Sequence, residues 1–405
     1  MKTLLAGALA ALVICLSTAP AASAGIFGTE PIPVSVGPHG EAANGPSGGA
    51  AISGDDRYAR LVAFHSSAGN LTPRDTNGAA DVFVWSRPHG SSGLQLSRPA
   101  RPAGKLVRAS VSNHGRQADG PSWNPSLDGS MHSRPHCVAF QSSATNLAPG
   151  DRDAVSDIYV RDLRSHRTRL VSRGIGAAAV NPAIDGRCAR VAFEAGGRVY
   201  TASVRGGRPH SLGGGSAPSL SRDGSALVWQ RGGAVMLRRA GHTSEVVGSG
   251  HDATVSDSES GVWGVSFETG TRLTGNDGNP GVDVYMRVFR GGGGPRRTDL
   301  ISAVHRGGSS LGGNSVNGGI TVYAANRGIV TFANANGGGT TLWYRNNHSG
   351  NIDDLAHAGG PIFDIATSAR ANFVAFSSTA ANFRFDGNGG VQDVFFKHLV
   401  DGRPL

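Results

Sequence analysis

Asp75, Asn77 and Asp81 place three side-chain oxygens in one short stretch, "DTNGAAD", directly before the apolar run "VFVW". Carboxylate and amide oxygens in a Gly-bearing loop are what a hard cation such as Ca²⁺ takes, at six to eight oxygens per ion. The set recurs along the chain. Asp151, Asp153 and Asp157 repeat the offsets 0, 2 and 6, as do Asp277, Asn279 and Asp283; Asp386, Asn388 and Asp393 repeat them with the last position moved by one. No bidentate Glu closes any copy, and two or three side-chain oxygens need backbone and water to complete a shell. The same residue types also have a structural use, because Asp and Asn bond nearby backbone N–H groups and fix turns. Ca²⁺ is the one cofactor the pattern suggests, and the chain requires none.

Other reactive residues are sparse. After Cys15 only Cys137 and Cys188 remain; in an exported protein they form a candidate disulfide, with two free thiols as the alternative. His132 and His136 are four apart but flank Pro135, so they are not a helical zinc pair. "GSSLG" at 308–312 matches G-x-S-x-G. It lies in a Gly/Ser-rich connector without the strand and helix that a nucleophile elbow needs. His-Glu-x-x-His is absent, which excludes a metallopeptidase of that kind. No catalytic residue is assigned. Trp123, in "GPSWNP", is the aromatic singled out as a ligand contact; Trp85, Trp229, Trp263 and Trp343 fall in or beside apolar runs and read as packing.

The acidic stretches belong to a repeat. "VAFHSSAGNLTPRDTNGAADVFV" from Val62 returns from Val138, from Val374 and, degenerately, from Val265. Shorter copies start at Arg190, Ala226 and Ile329, with tighter turns. A Pro/Ser run and an Asp-Gly turn precede several copies, as in "PSLDGS", and a run such as "KLVRAS", "TRLVSR" or "TDLISA" follows. Asp-Gly between apolar runs signals a hairpin, because the tight turn needs positive φ. Each unit therefore reads as four antiparallel strands, a to d, and such units repeated without helical periodicity are β-propeller blades. The b-strand aromatics Phe64, Phe140, Phe193, Trp229, Phe267, Phe332 and Phe376 indicate seven blades, with six as the alternative. "IPVSVG" at Ile32 looks like a d strand without a, b or c, and "DVFFKHLVDGRPL" like a c strand without d. Joining them would complete the last blade and leave no free edge.

The combination of P-S-L-x-D-G, V-A-F-x-S-x-A-x-N-L and D-x-N-x-x-x-D-V-F-V resembles the WD-like (PD40-type) β-propeller repeats of exported bacterial TolB-like proteins. The resemblance covers nearly all of the chain after residue 24 and is tightest in repeats 1, 2 and 7. It implies a non-catalytic binding propeller with protein or glycan partners. TolB itself carries an additional N-terminal domain for which no counterpart is read here, so its partnership with Pal is not carried over.

Lys2, the apolar run "LLAGALAALVICL" and Ala22-Ser23-Ala24 have the form of a Sec-type signal peptide, with cleavage after Ala24. Residues 25–405 then form a single propeller domain, secreted or periplasmic, with no transmembrane segment. The formal charge is +9 and the cations are nearly all Arg, the lysines being Lys2, Lys105 and Lys397. Scattered as they are, they carry no specific nucleic-acid signal, although anionic cell-wall polymers remain candidate partners. The expectation is a monomeric, exported, non-catalytic propeller that binds a protein or a cell-envelope glycan. The alternatives are a propeller enzyme acting on polysaccharide, as lyase or glycosidase, and a structural envelope protein.

Overall fold

The computed structural model describes residues 30–399 apart from 56–58, 88–95, 98–100, 103, 152, 259, 321–327, 348 and 384–387. The expected signal peptide and Asp386 therefore lie outside the described residues. Seven four-stranded antiparallel sheets follow one another along the chain, with no α-helix among the described residues. Blades 1 to 6 span 47–108, 122–170, 179–214, 216–249, 251–300 and 314–358; blade 7 takes 362–398 and borrows Ile32–Pro33. In each blade the strands lie in the order a-b-c-d. The closing strand pairs Ile32 with Phe396 and Pro33 with Phe395, as the two unmatched ends of the sequence imply.

The b and c strands are near-continuous apolar runs because both faces of each blade are covered by neighbours. Strand b of blade 1, Leu61–Ser66, is buried except at His65, and strand c, Asp81–Ser86, except at Ser86. In most blades the b aromatic lies opposite a c aromatic, whereas in blade 4 Trp229 faces Met236. Phe64 stacks on Phe83 at 5.8 Å, Phe140 on Tyr159 at 5.9 Å, Phe193 on Tyr200 at 5.6 Å and Phe376 on Phe395 at 5.6 Å. The core lies between blades: Ala63, Val82 and Val84 of blade 1 pack with Val138 and Phe140 of blade 2. Ile32 and Val34 join Phe373 and Phe396 of blade 7 to Val62, Phe64 and Trp85 of blade 1, so the closure has a core of the same kind.

A second regularity is invisible in the apolar pattern. In every blade the a–b ladder breaks once within strand a, near its start in six blades and towards its end in blade 6. In six blades the break carries a residue at positive φ: Gly49, Asn124, Asn181, Ala217, Asp252 and Asp364. Gly, Asn and Asp tolerate this left-handed backbone best. These are β-bulges, which bend a strand and re-aim its side chains.

Candidate functional site

The b–c loops hold the acidic residues, and their first partners are internal. The Asp that opens strand c accepts a hydrogen bond from a Ser just after strand d. Ser110 Oγ donates to Asp81 at 2.5 Å, Ser302 Oγ to Asp283 at 2.6 Å and Ser35 Oγ to Asp393 at 2.7 Å; Ser172 Oγ donates to Asp157 in the same way. Each Ser oxygen also accepts the next backbone N–H of strand c, from Val82, Ile158, Val284 or Val394. Ser35 belongs to the closing segment, so the ring is locked by the bond that locks blades 1, 2 and 5.

The Asn at the middle position is a staple between blades. Asn77 Nδ2 donates to Ala118 O at 3.1 Å and Asn388 Nδ2 to Ala43 O at 3.1 Å; Asn279 Nδ2 donates to Leu311 O. Each acceptor lies in the connector to the following blade. The Asp153 side chain has no N–H to give; its backbone N donates to Asp151 Oδ1 at 3.2 Å and its Oδ1 accepts from Val155 N at 3.0 Å.

The first Asp differs between blades. In blade 1 the Arg108 guanidinium joins Asp75 at 3.1 Å and Asp81 at 3.2 Å. In blades 2 and 5 a strand-c tyrosine takes this role: Tyr159 OH donates to Asp151, and Tyr285 OH to Asp277 at 2.5 Å. Burial pushes the carboxyls of Asp157 and Asp283 up to about 6, and the neighbouring acids push the same way. Asp151, Asp153 and Asp157 have carboxylate oxygens within 4.8 Å of one another.

Cys137 and Cys188 are joined, with Cα atoms 5.9 Å apart. Cys137 is the first residue of strand b, Cys137–Ser142, and Cys188 sits in the a–b turn of blade 3. The bond ties blade 2 to blade 3 across 51 residues. A loop of that length removes about 4 kcal/mol of unfolded-chain entropy in the loop-closure picture. His136 does not face a second histidine; it pairs with Asp128 at 3.1 Å, and that hydrogen bond raises its pKa. Trp123 lies inside strand a, Ser122–Leu127. Trp123 is half-buried, while its neighbours Asn124 and Pro125 line the central cavity.

That cavity, about 800 Å³, is the concave site on the ring axis, and all seven blades contribute to it. The bulges form its wall, and bulge N–H groups are held by acceptors of the preceding blade. Asn181 N donates to Gln141 Oε1 at 3.0 Å, Ala217 N to Glu194 Oε2 at 3.2 Å and Asn317 N to Glu268 Oε1 at 2.7 Å. Gly49 N closes the circle on Asp364 Oδ2 of blade 7 at 2.8 Å. Asp252, Glu268 and Asp364 line the cavity, and among the described residues no Lys or Arg does. Burial drives the Glu268 carboxyl up to about 7. His251 Nδ1 lies 2.9 Å from Asp252 and 3.6 Å from Glu268. Phe363 and Val316 add apolar surface, 39% and 42% exposed.

At the a–b-turn end, Arg222 reaches across the axis from blade 4. It donates to Ile52 O of blade 1 at 3.1 Å and to Leu127 O of blade 2 at 3.3 Å. Gly54 leaves room for it: a Cβ there would lie 2.2 Å from Arg222 Cδ. Burial lowers the Arg222 pKa, and Asp257, Asp55 and Asp128 oppose that shift. None of these axial residues stood out in the sequence. The signal was present as a short polar or small residue near the start of each a strand, in "SWNP", "VNPA", "SAPS", "HDAT" and "FDIA".

No protein-family profile and no curated protein matches the sequence. Among solved structures the chain is similar to the β-propeller domain of the Trilobed protease from Pyrococcus furiosus, described as having an open velcro topology. The identity is 11%, over 88% of this chain and 94% of that one, with a TM-score of 0.48. It is also similar to TolB from Acinetobacter baumannii, at 11% identity over 68% of this chain, with a TM-score of 0.38. The match spans 59% of that TolB chain, less than two thirds. A chain of the nidogen/laminin complex aligns at 8% identity over 67% of this chain and 88% of that one, with a TM-score of 0.36. These likenesses concern fold alone. On its own seven four-stranded antiparallel sheets, the chain is a β-propeller.

Proposed function

We propose that the protein is an exported binding propeller whose axial cavity receives a segment of a protein partner carrying a basic side chain. The observation that carries this reading is the lining: three carboxylates, Asp252, Glu268 and Asp364, with no Lys or Arg among the described residues, in a protein of net charge +9. A cavity of about 800 Å³ suits an occupant of drug or short-peptide size. Its negative wall favours a cation and disfavours an anionic polysaccharide, whose contacts would fall to the Arg-rich outer surface. Export rests on residues 1–24, and an extracellular product starting at Gly25 would support it.

A second reading is an enzyme acting on polysaccharide. Glu268, buried and held near pH 7 beside Asp252, has the properties of a general acid. One experiment separates the two. The full chain is probed against a panel of Lys/Arg-bearing peptides and a panel of neutral and acidic glycans, with release of reducing ends followed. Saturable binding of basic peptides, reduced at least about tenfold (1.4 kcal/mol) by Phe363→Ala with Asp364→Asn, supports the binding reading. Glycan turnover abolished by Glu268→Gln would replace it with the second.

A further inference from the structure

The four b–c loops are internal copies of one another, and blade 1 shows what stabilises two carboxylates there. Arg108 lies between Asp75 and Asp81, 3.1 Å and 3.2 Å away. Counting back from the locking Ser, Leu300 occupies the Arg108 place in blade 5. The carboxylates have nonetheless been kept. Asp277 is 6% exposed and Asp283 fully buried. One oxygen of each is satisfied, Asp277 Oδ2 by Tyr285 OH and Asp283 Oδ1 by Ser302 Oγ. The other two oxygens, Asp277 Oδ1 and Asp283 Oδ2, are buried without a well-formed hydrogen bond, and the Asp283 carboxyl faces the Asp277 carboxyl and the Asn279 amide. Two buried carboxylates with an orphaned oxygen each are costly unless a cation or a shared proton lies between them.

We propose that the blade 5 b–c loop binds a divalent cation of the hard, oxygen-liganded class, Ca²⁺ in the first instance, through Asp277 Oδ1 and Asp283 Oδ2. Loop carbonyls and water would complete the shell. The ion does in blade 5 what the guanidinium does in blade 1. Asn279 is not a ligand: its Nδ2 is committed to Leu311 O and its Oδ1 accepts from Gly281 N at 2.7 Å. Of the set Asp277, Asn279 and Asp283, the site thus uses the outer two. Blade 2 has Leu170 at the Arg108 place, but its acids are more exposed, and it serves as the internal comparison.

The test uses the full chain stripped with chelator. Ca²⁺ binding only to the folded state should raise the melting temperature saturably, by at least about 3 °C at one hundred times Kd. Tb³⁺ in place of Ca²⁺ should emit when Tyr285 is excited, and added Ca²⁺ should quench that emission. Leu300→Arg combined with Tyr285→Phe rebuilds the blade 1 arrangement and should fold without any response to Ca²⁺. Should that variant fail to fold, Asp283→Asn provides the same reading through loss of the Ca²⁺-dependent shift. An unchanged melting curve in Ca²⁺ would overturn the proposal in favour of a carboxyl pair sharing a proton. A response that survives Asp283→Asn and is lost in Asp151→Asn would overturn it in favour of blade 2.

Discussion

Glu268 shows how one side chain serves two roles. Its Oε1 holds Asn317 N of the next blade, while its burial keeps the carboxyl near pH 7. The unfolded value is near 4.5, so the folded protein binds more protons than the unfolded chain between pH 4.5 and 7. The associated stability is present below 4.5 and is lost as pH rises through 7. Asp257, pushed up to about 6 by burial, acts in the same direction. The melting temperature should therefore fall between pH 5 and pH 8, and Glu268→Gln should flatten part of that fall. Thermal melts of both proteins at the two pH values check this; parallel slopes would show that Glu268 does not contribute. At this scale the sequence was partly legible. It displayed Asp81, Asp157, Asp283 and Asp393 as a set, but not Arg108, because nothing in "KLVRAS" shows that one side chain reaches back to a loop more than twenty residues upstream.

At the scale of elements, the lock between strands c and d joins residues that the sequence presents separately. Ser302 is fully buried and satisfies both Asp283 Oδ1 and Val284 N. Ser302→Ala would leave both without that partner, and the expected loss is about 2 to 6 kcal/mol, since each orphaned buried group costs about 1–3 kcal/mol. Denaturant unfolding with an unchanged m-value checks it. A loss below about 0.5 kcal/mol would mean that water replaces the hydroxyl. The closing strand is only two residues long, Ile32–Pro33, yet Ser35 extends its hold on blade 7 through Asp393 and Val394. The repeated Ser in "RAS", "LVS", "LIS" and "PVS" was legible as a strand end. Its bonding was not, because it depends on the c strand lying alongside.

For the whole molecule, the ring creates a compartment that no single blade has. Arg222 connects blade 4 to blades 1 and 2 at one end of the axis, and the bulge ring lines the other. Arg222→Ala should destabilise the protein by about 2 kcal/mol, the lower range for hydrogen bonds from a charged donor, and should open the axis to solvent. Chemical denaturation measures the first. Faster hydrogen exchange at Gly54, Gly129 and Gly186, whose N–H groups bond across the a–b turns, measures the second. No change in either would show that the cross-axis bonds contribute nothing.

The four-stranded blades, their order and the N-terminal closure were legible in the sequence, because turn chemistry and repeated aromatics such as Phe64 and Phe376 are local and recur; the structure decided for seven blades over the alternative of six. The oxygen-bearing residues of the b–c loops were also found by type and spacing. Their division of labour was decided only by the tertiary structure. Whether an acid meets Arg108, Tyr285, Ser302 or nothing depends on strands brought together by folding. The axial cavity belongs wholly to the ring: Asn124, Asp252 and Asp364 each look like ordinary strand residues, and they line one site because seven inner strands converge on one axis.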